Sequence, residues 1–550
     1  MADSIYDAIV IGGGNKALVT AMYLQRYGKM NVAIFEAKHE IGGCLAGDEA
    51  SVPGFYADQH ATDIGDFYWA VVCQDFPEFE QRGFEFIPYE IAGGGIFEED
   101  HSSYLMYSPY TDPTQEKTAQ SFEKFSSHDA DTWLKIWEMW EKGGRDAFMK
   151  YLHTPPPADP NEPDYFEKFF FTSPHIRDLG FDRSFLLRSP VEVFRDFFDD
   201  EALIAGLLRI AHSWNSIPSD MCGAGVFAFF TLLGLTHFGG IKGGTHTAAH
   251  AAYKVFTEDG GKCFTKHKVE RVLVEGKKAV GVELAGGEQV KAKKLVVSGA
   301  SPHQLVFEFT GEEHWNRRIL KRVANLSYWQ SLGVGWNTWA VQEPPEYIAA
   351  KQVPEVANVG WLTLGNKNVE EVTLSHYYKK LGMQSPHLDM VICNQAHRDK
   401  SRIPEGKWSF LAEDYSSPGN YPESLSDREW RDIKRAHAEK QMSHISKFAP
   451  NITWDTVIGY NLYTHFDLTR MLNLTHGCWT GIAHIPSQLG RYRPVPELAD
   501  HRTPIKGLYG TGVAWHYAGM ASCTQGYNCY KIIAEDFGLG MPGQAEQRGF

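Results

Sequence analysis

Residues Ala8–Ile11 form a short apolar run, and Gly12-Gly13-Gly14-Asn15-Lys16-Ala17 follows at once. Leu18–Tyr27 has the spacing of a helix and ends at Gly28, and Asn31–Phe35 reads as a second strand closed by Glu36. Strand, glycine turn, helix, strand and acid in this order admit few folds, and the parallel βαβ unit that binds dinucleotides is foremost. Each part has a physical task. Gly12 permits the tight turn, Gly14 lets a pyrophosphate approach the backbone, and Ala17 lets helix and strand pack closely. The helix start offers free N–H groups and a positive dipole end to phosphate, while Glu36 accepts hydrogen bonds from a ribose diol. NAD would use the same unit. The double glycine Gly42-Gly43 beyond Glu36 and Ala37 narrows the reading to FAD, with a purely structural turn as the bland alternative.

No second glycine fingerprint of this kind follows, so a dedicated NAD(P)H domain is not expected. Gly93-Gly94-Gly95 has no helix behind it and reads as a glycine turn. The aromatic stretch Phe166–Phe198 reads as a helical core, with a cavity lining as the alternative. Gly243-Gly244-Thr245-His246 opens a helix to about Phe256, then Val269–Val274 and Ala279–Leu284 form a hairpin and Leu295–Val297 a further strand. Residues 310–470 are mixed strand and helix rich in tryptophan, including Trp336 and Trp361, and Met541–Phe550 reads as a flexible tail. His246 and His250 stand four apart without the third ligand a metal needs, so no metal is expected.

At 550 residues the chain is long enough for two or three domains. Its net charge of -15 and the lack of a basic block exclude a nucleic-acid partner. The eight cysteines show no CxxC spacing and Met1–Asp7 has no basic leader, so reduced thiols and a cytoplasmic location are expected. No apolar run reaches the length of a membrane span; peripheral membrane contact and the oligomeric state stay open.

The second informative region is C-terminal. Gly507–Gly512 is a short strand with a glycine exit, followed by Val513-Ala514-Trp515-His516-Tyr517-Ala518-Gly519-Met520 and a helix from about Ser522 to Phe537. A helix N-terminus there would stabilise the negative charge of a reduced flavin. With this motif, Ile9–Gly43, Gly239–Ser301 and Arg493–Gly538 together resemble the phytoene desaturase branch of FAD-dependent oxidoreductases, which includes carotenoid isomerases and is related to the flavin amine oxidases. The resemblance implies an α/β fold: a Rossmann-like FAD-binding domain in three-layer ββα form, with an interleaved α+β substrate domain. The FAD-binding part would span 1–75, 239–305 and 471–540, and the substrate part, with a helical cap, 76–238 and 306–470. It further implies non-covalent FAD. Phosphate contacts fall at Gly12, Gly14, Asn15 and Lys16, the ribose at Glu36, the adenine at Val269, and the flavin at Gly512, Gly519 and Met520. The implied reaction is hydride transfer from a hydrophobic or cyclic substrate to flavin N5, giving a C=C bond, with reoxidation by O2, a quinone or a partner.

Two departures bear on the substrate. Tyr517-Ala518-Gly519-Met520 stands where the family often has a glycine run, and His60 and Asp63 put titratable groups where a carotenoid pocket would be apolar. A smaller or more polar substrate is favoured. The second proton needs a base, for which His516 ranks first and His60 and Asp63 follow. Tyr517 and Tyr527 orient substrate or pack, and His237 and His246 read as structural. An amine or alcohol oxidase, a flavin-dependent isomerase without net redox change, and an FAD-binding interaction protein are the competing readings.

Overall fold

Within the strand Ile5–Ile11, residues Ala8–Ile11 are buried on both faces, as in a parallel sheet covered on both sides. The strand pairs in parallel with Val32–Phe35 on one side and Gln289–Ser298 on the other. The computed structural model, which describes residues 5–157, 159, 161–329, 334–415 and 425–542, extends this pairing into a seven-stranded sheet. Lys262–Phe264 adds to one edge, and the antiparallel strands Lys278–Leu284 and Val269–Glu275 continue the other. Gln289–Ser298 is long enough to fork. Its first half belongs to that meander, while Val296–Ser298 pairs in parallel with Leu508–Gly510, bringing the C-terminal motif beside the N-terminal one.

The helix Asn15–Arg26 packs between His246–Glu258 and Thr524–Phe537. Its approach to the last helix is set by Gly526, where a Cβ would lie 2.2 Å from the Lys16 carbonyl oxygen. Thr20 Oγ1 donates to the Gly526 carbonyl across the same contact, at 3.0 Å. Ala8 and Val10 pack toward the helices, while Ile9 and Ile11 on the other face share a core with Val272 and Val282 of the meander, which gives the three-layer ββα arrangement.

The second seven-stranded sheet runs Val457–Tyr463, Gly335–Val341, Trp408–Asp414, Met390–Cys393, Val359–Gly365, Ile91–Phe97 and Ser103–Tyr107 in spatial order. It is antiparallel except where Val359–Gly365 meets Ile91–Phe97. The expected glycine turn at Gly93-Gly94-Gly95 is therefore corrected: these residues are the centre of a buried strand. They are small because their neighbours crowd in. A Cβ at Gly93 would lie 2.7 Å from Leu235 Cδ2, and one at Gly95 would lie 2.4 Å from Thr363 Oγ1.

The aromatic stretch folds as helices Tyr165–Thr172, Pro174–Asp178 and Pro190–Phe197; Phe181 and Phe197 pack on Phe229, and Phe185 packs on both of them, as core. Among the described residues no helix is long and apolar enough to cross a membrane. From residue 543 onward the expected tail lies outside the described residues.

Candidate active site

A continuous cavity of about 700 Å³ runs from the nucleotide-binding turn to the second sheet. At its first end Gly12 adopts φ +86°, a left-handed backbone that favours glycine. The Gly12 N–H is held by the Phe35 carbonyl at 2.8 Å, and the Gly13 N–H donates to Glu36 Oε2 at 2.6 Å. Glu36 Oε1 accepts from the Lys38 N–H at 2.7 Å, so one carboxylate organises the turn and its own loop. The Gly42 N–H donates to the Gly13 carbonyl at 2.8 Å, which lays the second glycine pair against the first. Gly14 caps the helix with no side chain, and a Cβ added at Gly12 or Gly14 would meet nothing within 4 Å. Open space over uncapped helix N–H groups fits a pyrophosphate. FAD is the cofactor these residues fit.

The C-terminal loop is built to bring backbone to the cavity. Gly519 fits only without a side chain, since a Cβ would lie 2.2 Å from the Thr480 carbonyl oxygen, and its N–H donates to His484 Nε2 at 2.8 Å. Lys16 Nζ donates to the Met520 carbonyl, and Asn15 Nδ2 donates to the Ser522 carbonyl at 3.0 Å, tying the first turn of the first helix to this loop. Burial lowers the Lys16 ammonium to about 8. Arg493 lies wholly buried below. Its guanidinium donates to the carbonyls of Thr480, Ile482, Gln488 and Val513, so one side chain staples both loops that frame Gly519. Burial pushes Arg493 down to about 9.

At the far end the cavity meets tryptophans and acids: Trp214, Trp336, Trp361, Glu413 and Tyr415, facing His60 and Asp63. His60 is 5% exposed, its ring lies edge-on to Trp336 at 5.4 Å and Tyr463 at 5.5 Å, and neither ring nitrogen has a hydrogen-bond partner among the described residues. Burial lowers it to about 4, with Asp467 opposing weakly, so it is a neutral imidazole with free lone-pair capacity. Asp63 accepts from the Tyr89 hydroxyl and from Thr62 Oγ1. Glu413 accepts from the Tyr415 hydroxyl and the Trp336 side chain. These donors favour the ionised forms, yet burial wins: Asp63 rises to about 7 and Glu413 to about 8.

Of the sequence-predicted cofactor positions, Gly12, Gly14, Asn15, Lys16, Ala17, Glu36, Ala37, Gly43, Val269, Gly512, Gly519 and Met520 line the cavity, while Gly42 sits just behind it. The Lys16 side chain is spent on protein carbonyls rather than left free for phosphate. Of the predicted catalytic positions, His60 and Asp63 line the cavity; His516 and Tyr517 do not. His516 turns toward the helix Arg145–Leu152, with its ring edge-on to Tyr151 at 5.4 Å and Nε2 3.4 Å from the Tyr151 carbonyl. Tyr517 packs behind the wall against Tyr151, and Tyr527 packs on Tyr23. His237 bonds to Trp140 and Asp66, and His246 to Tyr56, as structural residues do. Sequence reasoning missed Glu413, Tyr415 and the cavity role of Trp336 and Trp361, for which only the tryptophan density of the middle region was a signal.

The profile of the family described as flavin containing amine oxidoreductase matches residues 18–328. The pyridine nucleotide-disulfide oxidoreductase domain-containing protein 2 of Rattus norvegicus is 27% identical, the alignment covering 96% of this chain and 94% of that protein. A limonene dehydrogenase polypeptide of Castellaniella defragrans is 22% identical over 97% of this chain and 95% of its own. Among solved structures, an oxidoreductase from Methanosarcina mazei superposes with a TM-score of 0.60 at 15% identity, covering 96% of this chain and 99% of the other.

Proposed function

Since this chain belongs to the flavin-containing amine oxidoreductases and is an FAD-dependent oxidoreductase, we propose that it dehydrogenates a carbon–carbon bond of a small hydrophobic or cyclic substrate. The observation that carries the reading is the far end of the cavity, where tryptophans enclose space beside a buried imidazole whose two nitrogens have no partner among the described residues. The relative that bears the name limonene dehydrogenase supports a hydrophobic substrate. Bound FAD supplies the two-electron acceptor for a hydride. His60 takes the proton from the neighbouring carbon: it is neutral at physiological pH, desolvated, and has a lone pair with no competing donor among the described residues. Trp214, Trp336 and Trp361 exclude water and hold the apolar body of the substrate.

We assign nucleotide binding to 1–75, 239–305 and 471–540, and substrate enclosure to 76–238 and 306–470. His60 and Asp63 then face Trp336 and Glu413 across the junction of the two parts. Oxygen, a quinone or a partner protein takes the electrons onward.

Anaerobic mixing of the yellow protein with limonene, cyclohexanone and cyclohexylamine tests the reading, followed by loss of flavin absorbance. Bleaching by a hydrocarbon or ketone supports it; bleaching by the amine alone makes the chain an amine oxidase instead. His60→Ala should retain FAD and slow reduction by about 100-fold, and His516→Ala should reduce at close to the wild-type rate. An unchanged rate in His60→Ala removes His60 as the base.

A further inference from the structure

Proton transfer to His60 leaves two buried acids without a role. Asp63 and Glu413 both line the tryptophan end of the cavity and are 7% and 3% exposed. They come from segments far apart in sequence, the loop after Asp58 and the strand Trp408–Asp414. Trp336 links Glu413 to the base, since it touches the His60 ring and hydrogen-bonds Glu413. A cavity for a pure hydrocarbon gains nothing from two carboxyls, and burying them is costly. We propose that Glu413 and Asp63 form a subsite for a carbonyl oxygen of the substrate, so that the bond dehydrogenated lies α,β to that carbonyl. This rests on the dehydrogenase reading and adds the substrate class to it.

The charges around the pair decide between a carbonyl and a cation. Glu413 feels the charge of Asp63, and Asp63 that of Asp58. Among the described residues, Arg402 is paired with Asp58 at 2.9 Å, and Arg398, which lies over the Tyr89 ring, is paired with Glu90 at 3.3 Å. Tyr89, Tyr415, Thr62 and Cys393 bond to the acids but bring no positive charge. Burial is the largest influence on both acids and favours the protonated form of each, up to about 7 for Asp63 and about 8 for Glu413, and the charge of Asp63 pushes Glu413 the same way. A protonated carboxyl presents an O–H donor, which matches a carbonyl lone pair and repels no neutral ligand.

The chemistry then closes. The carbonyl, hydrogen-bonded by the acid, draws electron density from the adjacent carbon and acidifies its C–H bond. That proton passes to a ring nitrogen of His60. With FAD bound, a hydride from the β-carbon would pass to it, the electron pair of the broken α C–H bond would become the second bond of C=C, and the carbonyl would be kept. The substrate loses one proton and one hydride, so two electrons pass to FAD.

The FAD-loaded protein titrated with cyclohexanone, methylcyclohexane and cyclohexylamine, followed by the difference spectrum of the flavin, tests the subsite. Cyclohexanone is expected to bind tightest. Glu413→Leu should weaken it about tenfold, and Glu413→Gln, which keeps an N–H donor, by about threefold or less. The infrared band of a buried protonated carboxyl should be present at neutral pH and move to lower frequency with cyclohexanone. That band is read on the wild type, so it stands even where Glu413→Leu fails to fold. Tighter binding of cyclohexylamine, abolished in Glu413→Gln, overturns the proposal, as does an infrared band that cyclohexanone leaves unmoved. Flavin bleaching by limonene with no ketone binding would sink this subsite while leaving the dehydrogenase reading intact.

Discussion

Removing the Glu36 carboxylate should separate the two things it does. The side chain accepts from the Gly13 N–H at 2.6 Å and from the Lys38 N–H at 2.7 Å, so it shapes the phosphate turn before it meets any ribose. Hydrogen bonds to a carboxylate contribute about 1.5–3 kcal/mol each, less where water reaches the group, so about 2 kcal/mol for this partly exposed pair is a fair working figure. The loss falls on FAD affinity because the cofactor binds the ordered turn and must restore it. Glu36→Ala should therefore bind FAD roughly thirtyfold more weakly from the turn alone, with the ribose bonds lost in addition. Glu36→Gln keeps one acceptor oxygen and should fall between Ala and wild type. Equilibrium dialysis against free FAD, read by flavin absorbance, measures both. Wild-type affinity in Glu36→Ala would refute both assignments at once, and equal affinities for Gln and Ala would refute the claim that the turn is held by acceptor bonds.

Two further outcomes follow from packing and charge. Gly519→Ala puts a methyl group 2.2 Å from the Thr480 carbonyl, which Arg493 holds in place, so the loop must shift at a cost of about 1–3 kcal/mol; an unchanged urea midpoint together with unchanged FAD content would show that the loop is not pinned. The raised acids make stability depend on pH with a definite sign. Glu413 moves from 4.5 unfolded to about 8 folded, so its favourable contribution is complete below the unfolded value and is lost as pH rises through about 8. Glu413→Gln has no such loss, and its urea midpoint should gain on the wild type between about pH 5 and about pH 9; a constant gap across that range would mean that Glu413 titrates normally.

The nucleotide end was legible because its constraints are local. Gly12, Gly14, Ala17 and Glu36 act through turn geometry, close packing and helix-end N–H groups, all of which are set within one βαβ unit. The pairing of Val296–Ser298 with Leu508–Gly510 is long-range, yet the C-terminal region announced itself through its strand, glycine exit and helix. Gly93–Gly95 misled for the opposite reason. A glycine run with no long-range information reads as a turn, whereas here it relieves contact with Leu235 and Thr363, residues that no local pattern connects to it.

The same distinction bears on the candidate catalytic residues. His516 ranks first from sequence because it stands in the C-terminal motif, with three residues between it and Gly512, that resembles the family's flavin-facing segment. Membership of that segment does not place a side chain in the cavity: Gly519 and Met520 line it, while the His516 ring lies against Tyr151. His60 carried a weaker signal, a titratable group in a segment expected to be apolar, but that signal reflects what the cavity needs rather than what the loop happens to contain. Glu413 carried none. In the strand Trp408–Asp414 it reads as an ordinary polar position, and only the sheet order, which brings that strand between Gly335–Val341 and Met390–Cys393, sets it beside Trp336 and across from Asp63. The cofactor's handle is thus a property of a short segment, while the substrate's is a property of the topology. A survey of sequence motifs finds the first in such a chain, and the chemistry at the far end of the cavity has to be read from residues brought together by strands that are distant in sequence.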